Sequence, residues 1–124
     1  MILNISEAAN LAIHAATHLA SHPDELPIST VRVAQALEVS EAHLSKVLQR
    51  LTRAGLLKSV RGPRGGFSLT REPKSVTLLE ILEAIDGALE KSHCLLGHES
   101  CDRTSCVFGS IVADVQAQVV NHFT

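Results

Sequence analysis

Apolar side chains recur at Ile5, Ala8, Ala9, Ala12, Ile13, Ala16 and Leu19, a spacing of three and four that predicts an amphipathic helix over residues 4–20. The polar run Ser21-His22-Pro23-Asp24-Glu25 interrupts it, and Pro27 opens a new segment. Ser29 or Thr30 is placed to cap a short helix over Val31–Leu37, with Val33, Ala34 and Leu37 inward. After a brief turn at Glu38-Val39, Ser40 caps a further helix with the apolar stripe Leu44, Val47, Leu48 and Leu51. Gly55 ends that helix as a left-handed residue just past its last turn. Two short helices joined by a tight turn form a helix-turn-helix, whose second helix normally enters the major groove of DNA.

The pattern then changes period. Leu56-Leu57-Lys58-Ser59-Val60 and Phe67-Ser68-Leu69-Thr70 are strand-like and flank Arg61-Gly62-Pro63-Arg64-Gly65-Gly66, which predicts a β-hairpin with arginines at its tip. Directly after a recognition helix, such a hairpin is a wing. Pro73 closes it, and Ser75 or Thr77 caps a helix with Leu78, Leu79, Ile81, Leu82 and Ile85 on its apolar face, stopping at Gly87. Residues 88–105 read as a polar, cysteine-bearing loop. From about 106 to 122 a last helix places Val107, Ile111, Val115 and Val119 in line, widened by Phe108, Val112 and Val120. So long an apolar face after a complete small domain predicts pairing with a second copy in a homodimer. The expected fold is mainly α with a small β-hairpin: a winged helix-turn-helix DNA-binding domain over 1–87, a sensor loop over 88–105 and a dimerisation helix over 106–124.

Composition narrows the function. With 124 residues and 45% apolar side chains the chain can build a core, so wholesale disorder is excluded. Aromatics are only 2%, which argues against a single-strand binder that stacks bases on exposed rings. No stretch approaches the ~20 apolar residues of a membrane span. The first residues read as a helix lacking a signal peptide's basic start, so no membrane association and a reducing, cytoplasmic setting are expected.

The formal net charge of −2 conceals an asymmetry: residues 46–74 carry eight basic groups against the single acid Glu72. A basic block inside a structured region is an electrostatic footprint for phosphates. On the second helix of the pair, Ser40, His43 and Ser45 lie towards the end that meets base edges, while Lys46, Arg50 and Arg53 suit phosphates, Lys46 also suiting guanine acceptors. At the wing, Arg61 and Arg64 suit an electronegative minor groove, and Gly65 and Gly66 let backbone approach it without a side-chain clash. No nucleophile–base pair, nucleotide-binding glycine loop or paired-carboxylate pocket stands out, so an enzyme is not expected. A protein-interaction module on the same scaffold would not need the basic block.

Cys94, Cys101 and Cys106 are the chain's three cysteines, spaced C-x6-C-x4-C in a polar segment that also holds His93 and His98. Structural zinc sites usually pair their ligands closely, which is not the spacing here. Spread thiolates suit an iron–sulfur cluster, whose irons accept ligands from several directions, and three leave one ligand to be found. Zinc, or a thiol switch without metal, is the alternative.

Taken together, Leu51-Thr52-Arg53-Ala54-Gly55-Leu56-Leu57, the run Arg61 to Leu69, Val76-Thr77-Leu78-Leu79-Glu80-Ile81 with Ile85-Asp86-Gly87, and the three-cysteine segment resemble the IscR/NsrR-type winged-helix transcription regulators over nearly the whole chain. The resemblance implies a homodimer crossed over through its last helices, binding double-stranded DNA at a palindromic operator. It further implies a 2Fe-2S or 4Fe-4S cluster on Cys94, Cys101 and Cys106 that reports iron–sulfur, redox or nitric oxide status to a repressor. The six-and-four spacing is less even than the family's, and Gly109 stands where some members carry a histidine ligand. Other members draw the last ligand from the first helix. There His14, with Glu7 and Asn10 on the same side, is the preferred candidate, and His93 and His98 remain alternatives.

Overall fold

The computed structural model describes residues 5–88, 107 and 110–124. The first helix, α1 (Glu7–Ser21), turns Ala9, Ala12, Ala15, Ala16 and Leu19 inward. Small side chains let neighbours approach its backbone closely, and α1 packs against both α3 (Glu41–Arg53) and α4 (Leu78–Asp86). Leu19, Ile28, Leu44, Leu48, Leu51, Leu57 and Leu82 are fully buried and fill the centre.

Caps fix where each helix starts. The hydroxyls of Ser6, Ser29, Ser40 and Thr77 accept the backbone N–H three residues on, at the head of α1, α2 (Thr30–Leu37), α3 and α4. Each such cap is worth about 1 kcal/mol. Ser29 is therefore the cap of α2 and Thr77 that of α4, where Glu80 reciprocates as a capping box. Between α2 and α3 the chain turns at Glu38, a non-glycine residue in the left-handed region, φ 57°. Its N–H bonds back to α2, and half-buried Val39 packs on the core.

The hairpin pairs β1 (Leu57–Val60) with β2 (Gly66–Leu69) in antiparallel register, Leu57 opposite Leu69 and Val60 opposite Gly66. A further bridge, unforeseen in the hydrophobic pattern, ties β2 to the segment before α2. Ile28 N–H donates to the Phe67 carbonyl at 3.1 Å, and Phe67 N–H donates to Ile28 at 2.8 Å. The mainly helical architecture with its single described hairpin matches expectation.

The last helix, α5 (Ile111–Phe123), differs from expectation. Residues 107 and 110 are turns, and α5 runs from Ile111, later than the start near 106 that the apolar spacing suggests. The Ser110 hydroxyl donates to the Asp114 carboxylate at 2.9 Å, marking the helix start. Val107 is 96% exposed and Ile111 55%, so neither joins the core; Val112, at 2%, is the inward residue.

Candidate nucleic-acid interface

Helix α3 is two-faced. Leu44, Val47, Leu48 and Leu51 are buried, while His43, Lys46, Gln49, Arg50 and Arg53 are exposed and Ser45 is half-buried. Two of the hydroxyls expected to meet DNA have partners within the protein. Ser40 accepts the His43 N–H at 3.4 Å as the helix cap, and Ser45 accepts from the Gln49 amide at 3.4 Å.

Arg50 has a partner within the protein. Its guanidinium donates to the main-chain carbonyl of Ile85, in the last turn of α4. A cation there also meets the negative end of the α4 dipole. One residue further, the Asp86 carboxylate accepts from both the backbone N–H (3.0 Å) and the hydroxyl (2.5 Å) of Ser6. The end of α4 thus holds the recognition helix on one side and the start of α1 on the other. Nothing in the helical periodicity pointed to either contact, which join residues 35 and 80 positions apart.

At the wing, Lys58, Arg61 and Arg64 are exposed. Gly65 and Gly66 are also required by the protein's own backbone. A Cβ on Gly65 would stand 2.1 Å from the Val60 carbonyl oxygen, and one on Gly66 2.3 Å from the Ile28 carbonyl. The glycines seat the wing, and the arginines populate its tip.

Two ion pairs occur among the described residues: Arg32 with Glu25 at 3.1 Å, and Arg71 with Glu80 at 2.5 Å. The Arg71 hydrogen bond holds the Glu80 carboxyl below its usual range. Lys46, Arg53, Lys58, Arg61 and Arg64 belong to neither pair, so the basic block keeps its charge turned to solvent.

Cys94, Cys101 and Cys106, with His93 and His98, lie outside the described residues. His14 is exposed on α1, its Nδ1 2.8 Å from the Asn10 carbonyl. A carbonyl only accepts, so Nδ1 is the donor in this contact. His14 shares an open cleft of about 420 Å³ with Glu7, Asn10, Leu37, Val39 and His43. The first helix and the head of the recognition helix thereby line one groove. Among the described residues no group of three or more His, Cys, Asp or Glu is poised around a metal position. Likewise, no described helix is long and apolar enough to cross a membrane.

A helix-turn-helix followed by a two-stranded arm defines the winged-helix class of transcription regulators. The family model for Rrf2, described as iron-dependent transcriptional regulator, matches residues 5–124, and the chain belongs to this family. It is 30% identical over 121 residues to an HTH-type transcriptional regulator of Aquifex aeolicus, covering 95% of this chain and 83% of the relative. BadM of Rhodopseudomonas palustris is 39% identical over 82 residues, 66% of this chain, which spans about half (52%) of that relative's length. Among solved structures, CymR, the global cysteine regulator of B. subtilis, superposes with a TM-score of 0.83 at 26% identity, covering 98% of this chain and 89% of that one. IscR of T. potens gives 0.69 at 28% identity, covering 94% and 79%. These relatives are named as transcription regulators.

Proposed function

We propose that the chain binds double-stranded DNA as a homodimer at a palindromic operator, with α3 in the major groove and the Arg61–Arg64 wing tip at the neighbouring minor groove. The observation that carries this reading is the run of exposed cations on α3 and the wing, Lys46, Arg53, Lys58, Arg61 and Arg64, without carboxylate partners among the described residues. Such a surface repels itself until phosphates neutralise it. On α3, His43 is left free to meet base edges, and Lys46 to meet a phosphate or guanine acceptors beside it. The exposed apolar side of α5, with Ile111 outermost, is the surface a second copy covers.

The same proposal makes residues 88–105 the sensor, with Cys94, Cys101 and Cys106 holding an iron–sulfur cluster and His14 as the fourth ligand. The donor set fits: three thiolates from one short segment, and an imidazole whose Nδ1–H is fixed by the Asn10 carbonyl so that Nε2 is free to ligate. When bound, such a cluster supplies one-electron chemistry and reactivity towards oxidants and nitric oxide. The chain's own part is mechanical. The sensor segment departs from Gly87, next to the Asp86 carboxylate that holds Ser6 and the Ile85 carbonyl that holds Arg50. A change in the segment's conformation reaches α1 and the recognition helix through those two contacts, and the regulator, read as a repressor, releases or grips its operator.

The likeness to B. subtilis CymR, named a cysteine regulator, and to Staphylococcus aureus CymR, solved in an oxidized form, favours a second reading in which the three thiols act without metal. An anaerobic visible spectrum with iron and acid-labile sulfide analysis, on wild type and Cys101→Ala, separates them. Visible absorption and sulfide that vanish in the variant are expected. A colourless, sulfide-free protein after anaerobic reconstitution refutes the cluster and leaves the thiol reading.

A further inference from the structure

Arg32 lies outside the basic block, on a helix with no expected role in reading DNA. It occupies the first turn of α2, where the helix dipole presents its positive end and a cation is disfavoured. It also lines a cleft of about 430 Å³ whose other wall is the wing, with Pro63, Arg64 and Gly65 facing Glu25, Ser29 and Arg32. Two guanidinium groups and a helix N-terminus therefore converge on one hollow beside the wing tip. Arg64 has no ion-pair partner among the described residues, and Arg32 has the single carboxylate Glu25 at 3.1 Å. Both members of that pair are about half exposed, 54% and 46%.

We propose that this cleft is a phosphate clamp: Arg32 and Arg64 grip one backbone phosphate of the DNA beside the groove the wing enters, and Glu25 is the carboxylate that the phosphate displaces. Guanidinium suits the role, because its planar fork bonds a phosphate through two N–H groups. The bridge between Ile28 and Phe67 holds the two walls of the cleft together, so the arginines are presented as a unit rather than on separate elements. Glu25 pairs with Arg32 in the free protein and repels phosphate, so it tempers affinity.

The clamp rests on the DNA-binding reading, and the experiment keeps the two apart. Binding of a fluorescent duplex, selected by the wild-type protein from a random-sequence library, is measured by anisotropy across a salt series. Wild type, Arg32→Gln, Glu25→Gln, the double variant and Lys46→Ala are compared. Arg32→Gln is expected to weaken binding about tenfold and to lower the slope of log affinity against log salt by about 0.9, the loss of one phosphate contact. Glu25→Gln is expected to tighten binding roughly threefold in the wild-type background but not beside Arg32→Gln, because the carboxylate acts through that arginine. A half-exposed pair adds little to stability, so the variants should fold. Should Arg32→Gln nevertheless unfold, Glu25→Gln alone decides, tightening in favour and weakening against. Wild-type affinity and slope in Arg32→Gln, beside a weakened Lys46→Ala, refute the clamp and leave DNA binding standing. Failure of the wild type to select any duplex brings down both.

Discussion

Gly66→Ala puts the wing's seating to a quantitative test. Its Cβ would fall 2.3 Å from both the carbonyl carbon and oxygen of Ile28 and 2.6 Å from the nitrogen of Ser29. Ordinary carbon contacts begin near 3.5 Å, so β2 must retreat by about 1 Å. The Ile28–Phe67 hydrogen bonds, at 2.8 and 3.1 Å, lie at that point and cannot survive such a shift. Two backbone bonds at about 1 kcal/mol each, with ~1 kcal/mol for disturbed packing, give a loss of ~3 kcal/mol. For a chain of this length that is a fall in melting temperature of roughly 10 °C. Far-UV circular dichroism at matched protein concentration reads it, the concentration being held because dimers melt later when concentrated. Gly62→Ala is the control: its φ of +112° disfavours a side chain, yet no atom lies within 4 Å of the new methyl, so a loss of only ~1 kcal/mol is expected. Melting of Gly66→Ala within about 2 °C of wild type, or no lower than Gly62→Ala, would show that the Ile28 seam does not anchor the wing.

Arg50→Ala should lower the melting temperature by a few degrees and weaken operator binding with the salt slope unchanged, since its guanidinium braces α4; Lys46→Ala should leave melting alone and flatten the slope by about one. Unchanged melting with a flatter slope in Arg50→Ala would return that residue to a phosphate contact. Acid should act on the fold in two stages. Partial burial, then the neighbouring His22 ring at 4.3 Å, hold His18 below its usual 6.5, and the charge of Arg32 adds to them against Glu25. The unfolded chain therefore takes up that proton first, and stability declines as pH falls below 6.5. Glu80, lowered by Arg71, adds stability above its usual 4.5 that is lost as pH falls through its lowered value. Melting temperature against pH for His18→Gln should lose the first stage only; an unaltered profile counts against His18.

What could be read from the chain was whatever repeats locally. The α3 stripe of Leu44, Val47, Leu48 and Leu51, the Ser40 cap and the Gly55 stop lie within one helix, and each emerged where the periodicity placed it. The hairpin was legible because Gly62, Pro63, Gly65 and Gly66 interrupt two apolar runs, although the close approach of Gly65 and Gly66 to the chain itself has no local pattern. The contacts between distant residues had no local signal. Glu25 and Arg32 stand seven apart across Pro27, outside any single helix, and Arg50 meets Ile85 only after folding. Valine at 107 continues the apolar spacing from a turn, so the spacing does not by itself mark Ile111 as the start of α5.

The closing of α4 bears on how such regulators diversify. Gly87 satisfies the Glu83 carbonyl, Asp86 is occupied by Ser6, and Ile85 by Arg50, so the winged-helix part is tied off before the segment with the cysteines begins. An insertion after a tied-off end burdens the fold with little more than loop-closure entropy, which grows only slowly with length. Segments of different length can then be exchanged between Gly87 and α5 while the winged-helix part is inherited unchanged, and on the proposed reading a new signal can be acquired without reinventing the grip on DNA.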